Sequence, residues 1–207
     1  MGLGGLGLYR KIVPKPKEKL PEGKLTELKT SFEIPSDIQT WKHNTSVNRD
    51  TLRQIIMINP KTIVDVGAGD GFYCKLIKRF IPNCQVTAIE KNKIYPEKFN
   101  LASIYDSVIN DDIVTAIKNV SGDLIIFGDI LEHLEKKDML QVLEESLKHF
   151  SYVIVNSPLG FQPQEHEFPE EHHRCGIEYS DFENRKVLEF RVFDGNMFNC
   201  LLIGKQK

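Results

Sequence analysis

Thr62-Ile63-Val64-Asp65-Val66-Gly67-Ala68-Gly69-Asp70-Gly71 decides the fold. Thr62 to Val66 is a short β-branched run, and such runs bounded by turn residues read as buried strands. Gly67 to Gly71 is a glycine turn. Phe72 to Phe80 follows with Phe72, Leu76, Ile77 and Phe80 on one side, a helical spacing. Strand, glycine turn and helix in series form the opening unit of a parallel α/β sheet, and ligands of such sheets bind at the carboxyl ends of the strands.

The flanking chain repeats the alternation. Val47, Leu52, Ile55 and Ile56 predict a helix over Val47 to Ile58, ended by Asn59-Pro60. Gln85 to Ile89 is a second strand, Ser107 to Asn110 a weak third and Asp123 to Phe127 a clear fourth. Lys136 to Phe150 carries Leu140, Leu143, Leu147 and Phe150 on one stripe and predicts an amphipathic helix. Tyr152 to Val155 is a fifth strand. Asn156 to Gln164 reads as a loop by composition. Leu188 to Phe193 and Met197 to Ile203 flank Asp194-Gly195-Asn196 and predict an antiparallel hairpin. The expected fold class is α/β: Rossmann-like, doubly wound, with a mostly parallel sheet and a C-terminal antiparallel hairpin.

The turn also constrains the ligand. Dinucleotide sites use G-x-G-x-x-G and set a pyrophosphate against the helix N-terminus. Here the spacing is G-x-G-x-G, and Asp65 and Asp70 flank or enter the turn. Those acids repel pyrophosphate and suit a phosphate-free ligand with cationic groups, such as S-adenosylmethionine with its ammonium and sulfonium. Glu90 closes the second strand, where an acid takes the hydroxyls of a ribose.

With these residues, the chain from Val47 to Lys207 resembles the class I S-adenosylmethionine-dependent methyltransferases. Val64 to Gly71 resembles the first motif of that family, and Glu90, followed by Lys91, its ribose acid. Tyr105 to Ile113 is similar to its third-strand motif. That resemblance implies cofactor contacts from Asp65, Gly67, Ala68, Gly69, Asp70, Gly71, Glu90, Lys91, Asp112, Ile113 and Asp129, with Asp111 as the other register for the adenine-side acid. It implies S-adenosylmethionine as cofactor and S-adenosylhomocysteine (SAH) as product.

Gly128-Asp129-Ile130-Leu131-Glu132-His133-Leu134 follows the fourth strand and resembles the D-x-L-E-H-L segment of the same family. Methyl transfer to a hydroxyl needs alignment and removal of a proton. A neutral imidazole suits the second task, so His133 is the candidate base, with Asp129 and His173 beside it. The plainer alternative is that Glu132 and His133 open the next helix and cap or orient it. Glu165 to Cys175 holds three histidines and four acids in eleven positions. It is similar to the E-x-H-R-S-x-W insert of some sugar and cell-envelope methyltransferases, with His173-Arg174 at the H-R pair, Cys175 at the Ser and no Trp. A solvated acidic loop is the alternative. Asp129, Glu132 and His133, with His172 or His173, also resemble the E-x-x-E-H…H metal sites of small-RNA and quinone-precursor methyltransferases. Such donors suit Mg²⁺, Mn²⁺ or Zn²⁺.

The bulk numbers are compatible with one domain. The chain has 207 residues, 41% hydrophobic and 27% charged, with a formal net charge of −2 and no global basic field. Residues 1–35 read as a basic, proline-containing arm with Pro14, Pro16 and Pro21, leaving 36–207 as the catalytic domain. Cys74, Cys84, Cys175 and Cys200 form no CxxC pair, which implies reduced thiols and a cytoplasmic setting. No apolar run is long enough for a bilayer, and Met1 to Leu8 fits neither a signal segment nor, with Leu6, a myristoylation motif. The expected acceptor is a hydroxyl of a small molecule or glycan. The alternatives are an RNA or protein acceptor gripped by the arm, or a cofactor-binding module without catalysis.

Overall fold

Alternation along the fourth strand shows how the sheet is covered. In β4 (Gly122–Gly128), Leu124 and Ile126 join one apolar layer and Ile125 and Phe127 the other, and all four are fully buried. A strand buried on both faces reads as a continuous apolar run, as in parallel sheets roofed by helices on both sides.

The computed structural model describes residues 38, 45–164, 166, 168–193 and 196–205. The arm expected over 1–35 and the hairpin residues Asp194 and Gly195 lie outside them. The elements are α1 (Thr45–Ile58), β1 (Thr62–Val66), α2 (Phe72–Phe80), β2 (Gln85–Ile89), α3 (Tyr95–Lys98), β3 (Ser107–Ile109), α4 (Ile113–Ala116), β4, α5 (Lys136–His149), β5 (Phe150–Pro158), β6 (Lys186–Val192) and β7 (Met197–Ile203). The seven strands lie in the order β3-β2-β1-β4-β5-β7-β6. β7 runs antiparallel to both neighbours and all other pairs are parallel. This is the Rossmann-like α/β fold with a C-terminal antiparallel pair. The order reverses between β1 and β4, the switch point where such sheets open a crevice. No described helix is long and apolar enough to cross a membrane, and all four cysteines are buried and free.

Two local expectations are corrected. Phe150 begins β5 instead of ending α5, and Asn156-Ser157-Pro158 continue that strand instead of forming a loop. The cause is tertiary. β7 supplies an antiparallel partner for each of them, pairing Asn156 with Asn199, Ser157 with Phe198 and Pro158 with Met197. β3 stops one residue early, at Ile109, and β6 starts at Lys186 with an irregularity between Val187 and Glu189.

α1 docks on the sheet through amides as well as aliphatics. Leu52 and Ile55 enter the core layer shared with α2. Thr51 and Gln54, fully buried on the same helix, meet Asn156 and Asn199. Asn199 Nδ2 donates to Asn156 Oδ1 at 2.9 Å and to Gln54 Oε1 at 3.1 Å, while Gln54 Nε2 donates back to Asn199 Oδ1 at 2.7 Å. Asn156 Nδ2 donates to Thr51 Oγ1 and to Tyr73 Oη, each at 2.9 Å. Asn199→Leu keeps a branched side chain but removes the donor to the buried Gln54 Oε1, while Gln54 Nε2 keeps Glu189 and Asn156 Oδ1 keeps Thr51. Such an orphan costs about 1–3 kcal/mol. Urea unfolding is expected to show a loss of that size or more, and unchanged stability would remove the network from the account of α1 docking.

Candidate active site

The glycine turn takes its shape from what crosses it. Gly67, Gly69 and Gly71 have φ of 70°, 50° and 81°. A Cβ on Gly67 would stand 1.9 Å from Ile130 Cδ1, so the turn after β1 passes directly under the turn after β4. A Cβ on Gly69 would meet only the Gly67 carbonyl, at 3.8 Å, and the Gly69 N–H donates to Glu90 Oε2 at 3.0 Å. Asp70 accepts from Phe72 N at 3.1 Å and so opens α2. Ala68 is buried against the core. Asp65 lies beneath the turn, 1% exposed, with Tyr105 Oη donating to it at 2.5 Å. It therefore supports the turn from below, with no face on the cleft.

The cleft itself opens over the ends of β1, β2 and β3. It is a small cleft, open to solvent. Its floor is Val66, Gly67 and Ile89, and its apolar wall includes Ile113 and Ile130. Glu90 accepts from Gly69 N and from Asn92 N at 2.8 Å, and burial raises its carboxyl against those bonds. A carboxylate has about four acceptor positions, so these amides do not use up its capacity for a ribose hydroxyl. Asp112 caps α4 through Val114 N at 3.0 Å and pairs with Lys91 Nζ at 2.7 Å. Burial pushes the Asp112 carboxyl up, but Lys91 and the Val114 amide outweigh it, and the group sits below the usual range. Asp111 also lines the cleft and is exposed, so both registers of the adenine-side acid reach it.

The turn after β4 carries the chemistry. Asp129 has a left-handed backbone, φ 57°, and donates its N–H to Asn156 O at 3.0 Å. Burial raises its carboxyl above the usual range, and Oδ1 has no hydrogen-bond partner among the described residues. Leu131 to His133 form one 3₁₀ turn that divides its side chains. Glu132 points inward and accepts from Ser157 Oγ at 2.9 Å, and its Oε1 has no partner among the described residues. Burial, then Asp129, raises the Glu132 carboxyl well above the usual range. His133 points outward and lines the cleft.

The segment after β5 closes over this turn by backbone contacts. Arg174 N and Cys175 N donate to the Glu132 carbonyl at 2.8 and 3.2 Å. His133 Nδ1 lies 3.3 Å from the His172 carbonyl and His173 Nδ1 2.6 Å from that of Gln162. Neutral rings so held carry their protons on Nδ1 and keep Nε2 as a lone pair. Burial, and then His173, lowers the His133 pKa. The rings stand 4.9 Å apart, and one ligand atom each from Glu132, His133 and His173 lies within 4.8 Å of the others. Of the sequence candidates for a metal, His172 is not in this group, because its ring turns outward to the His166 carbonyl at 2.7 Å; Asp129 is not in it either. Sequence reading gave no role to Tyr105, Asn92, Ile130, Ser157 or Glu171, which lines the cleft from the loop side. Tyr105, Ile130 and Glu171 lie inside segments that the sequence singles out, whereas Asn92 and Ser157 carried no such signal.

No protein-family model matches the sequence, and no curated protein matches it. Solved structures do match its fold. TehB from Haemophilus influenzae superposes with a TM-score of 0.60 at 14% identity, covering 78% of this chain and 64% of that one. An S-adenosylmethionine-dependent methyltransferase from Clostridium acetobutylicum gives 0.59 at 12%, covering 79% and 94%. The N-terminal domain of EvdMO1, crystallised in the presence of SAH and D-fucose, gives 0.59 at 12%, covering 82% and 86%. The chain therefore has the class I methyltransferase fold.

Asp65 makes the stability of this fold depend on pH. Burial raises its carboxyl from 3.8 to about 7, with Tyr105 opposing and Glu90 and Asp70 assisting. Between those values the folded chain holds a proton that the unfolded chain has released. This contribution is complete below 3.8 and lost as pH rises through about 7. Asp65→Asn is expected to flatten the fall in urea stability across that window by up to about 1.4 kcal/mol per pH unit. An unchanged slope would show that Asp65 ionises in the fold as it does in open chain.

Proposed function

We propose that this chain is an S-adenosylmethionine-dependent methyltransferase that methylates a hydroxyl of a small molecule or glycan and releases SAH. The observation that carries the reading is His133, which belongs both to the acidic cleft over β1 to β3 and to the imidazole pair beside it. The EvdMO1 domain crystallised with D-fucose present, and an O-methyltransferase from Planctomyces limnophilus in complex with apigenin, support a small hydroxylated acceptor.

When bound, S-adenosylmethionine supplies a methyl group made electrophilic by its sulfonium. The chain does the rest. Glu90 would hold the ribose hydroxyls, Asp111 or Asp112 with Ile113 would border the adenine, and the glycine turn would support the remainder of the cofactor. Asp129 sets a negative charge at the β4 end. His133 Nε2 faces the acceptor and takes the hydroxyl proton, with Nδ1–H against the His172 carbonyl fixing the tautomer. His173 orders that ring from the loop side.

Calorimetric titration is expected to give binding of S-adenosylmethionine and SAH and none of NAD⁺. Absence of S-adenosylmethionine binding would overturn the reading. His133→Ala is expected to lower methyl transfer to sugar or phenolic acceptors by about 100-fold or more, far more than it lowers SAH affinity. Full transfer by that variant would remove His133 as the base.

A second reading rests on Glu132 Oε1. A buried carboxyl with an oxygen that has no partner among the described residues, and two imidazoles whose ligand atoms lie within 4.8 Å of it, suit a divalent cation, and backbone carbonyls behind both imidazoles are the usual supports of metal-bound histidines. Glu132, His133 and His173 would hold Zn²⁺, Mn²⁺ or Mg²⁺, which would polarise an acceptor oxygen. Adding each metal to chelator-treated protein is expected to raise the melting temperature, and Glu132→Gln to abolish the rise. No rise in the unmutated chain would eliminate this reading.

A further inference from the structure

Of the described residues that line the cleft, Glu171 alone comes from the segment after β5. It closes the 3₁₀ turn Pro169–Glu171, where its N–H donates to the Phe168 carbonyl at 3.0 Å. The residues that follow are tied to the turn after β4. The His172 carbonyl faces His133 Nδ1 at 3.3 Å, the His173 ring stands 4.9 Å from that of His133, and Arg174 N and Cys175 N donate to the Glu132 carbonyl. Glu171 is therefore the acid that this anchored stretch carries into the cleft, beside the imidazole pair.

The other acids of the cleft follow β2 or β3 and are engaged there. Glu90 accepts from the amides of Gly69 and Asn92, Asp112 caps α4 and pairs with Lys91, and Asp111 accepts from Asp112 N at 2.8 Å. Asp129 is not among the lining residues. His133 follows β4, across β1 from Glu90. A ligand with its ribose on Glu90 and its reacting methyl at His133 has its sulfur between them. Glu171 borders that interval. Its charge reaches Glu90, where it adds to burial in raising the carboxyl, and its main chain runs straight into the carbonyl that supports His133.

We propose that Glu171, reaching the cleft from the loop beside His133, is a specificity residue that reads the charge on the cofactor's sulfur and favours the cationic sulfonium of S-adenosylmethionine over the neutral thioether of SAH. The proposal rests on the reading of the cleft as an S-adenosylmethionine site and adds a residue that tells substrate from product. The two molecules share one nucleoside and one amino acid, so contacts to the hydroxyls and the ammonium cannot separate them. They differ at the sulfur, in one methyl group and one positive charge. A carboxylate facing a partly enclosed cleft acts on that charge with less screening than in open water. The same residue then holds the methyl donor and loosens its grip once the sulfur is neutral.

Glu171→Gln keeps the shape and removes the charge. The probes are S-adenosylmethionine and SAH, titrated calorimetrically into the full chain with no acceptor present. Glu171→Gln is expected to bind S-adenosylmethionine about tenfold more weakly and SAH within about twofold of the unmutated chain. Glu171→Asp, with the charge on a shorter stem, is expected to recover part of the difference. Added salt is expected to shrink the ratio of the two affinities in the unmutated chain and to leave it level in Glu171→Gln. An unchanged ratio in Glu171→Gln, or equal loss of both probes, would overturn the proposal. If that variant does not fold, a ratio in the unmutated chain that is indifferent to salt overturns it as well. Failure of the unmutated chain to bind either probe would instead overturn the cofactor reading beneath it.

Discussion

The close crossing of two turns organises this molecule. Gly67 lies so near Ile130 that no side chain fits between them, and its positive φ bends the chain away from β1 as it leaves the sheet. The turn after β4 can then lie across the turn after β1. The crossing borders the cleft over β1 to β3, which His133 and Ile130 line from the turn after β4. A side chain at residue 67 would push these halves apart, and with them the groups that must act on one ligand.

Charge is distributed unevenly around the crossing. Glu90, Asp111, Asp112 and Glu171 line the cleft, and Lys91, its one lysine, is engaged by Asp112. Asp65 and Glu132 lie deeper, each raised by burial. Such a surface rejects phosphates and favours ligands that bring positive charge with them. The site is thus electrostatically selective before any acceptor contact is considered. The amide network under α1 serves packing instead. It links Gln54, Asn156 and Asn199 by amide hydrogen bonds, with Gln54 also donating to Glu189, and it adds to the aliphatic contacts of Leu52 and Ile55 in fixing α1.

Much of the fold was legible because its elements obey local rules. The β-branched strand, the glycine turn and the period of α2 are carried by neighbouring residues, so their positions follow from sequence. Residues 156–158 defeated that logic, since Asn, Ser and Pro look like loop until a distant partner, β7, pairs with them. The site divided in the same way. Motif residues such as Glu90, Asp112 and His133 are near one another in sequence blocks and face the cleft. Asp65 fits the motif equally well yet lies beneath the turn, because its partner is Tyr105, forty positions away. His172 and His173 are neighbours with opposite orientations, and only the path of the loop backbone separates them.

That loop orients both imidazoles with main-chain oxygens, from His172 for His133 and from Gln162 for His173. A carbonyl is the same atom whatever side chain follows it. The identity of residues 162 and 172 is therefore decoupled from the tautomers they impose. The loop could change its composition, and with it the shape offered to an acceptor, without disturbing the protonation of the rings behind it. Acceptor choice and proton handling are in this sense separately adjustable parts of one short segment, which gives an enzyme of this design a route to new substrates that leaves its chemistry intact.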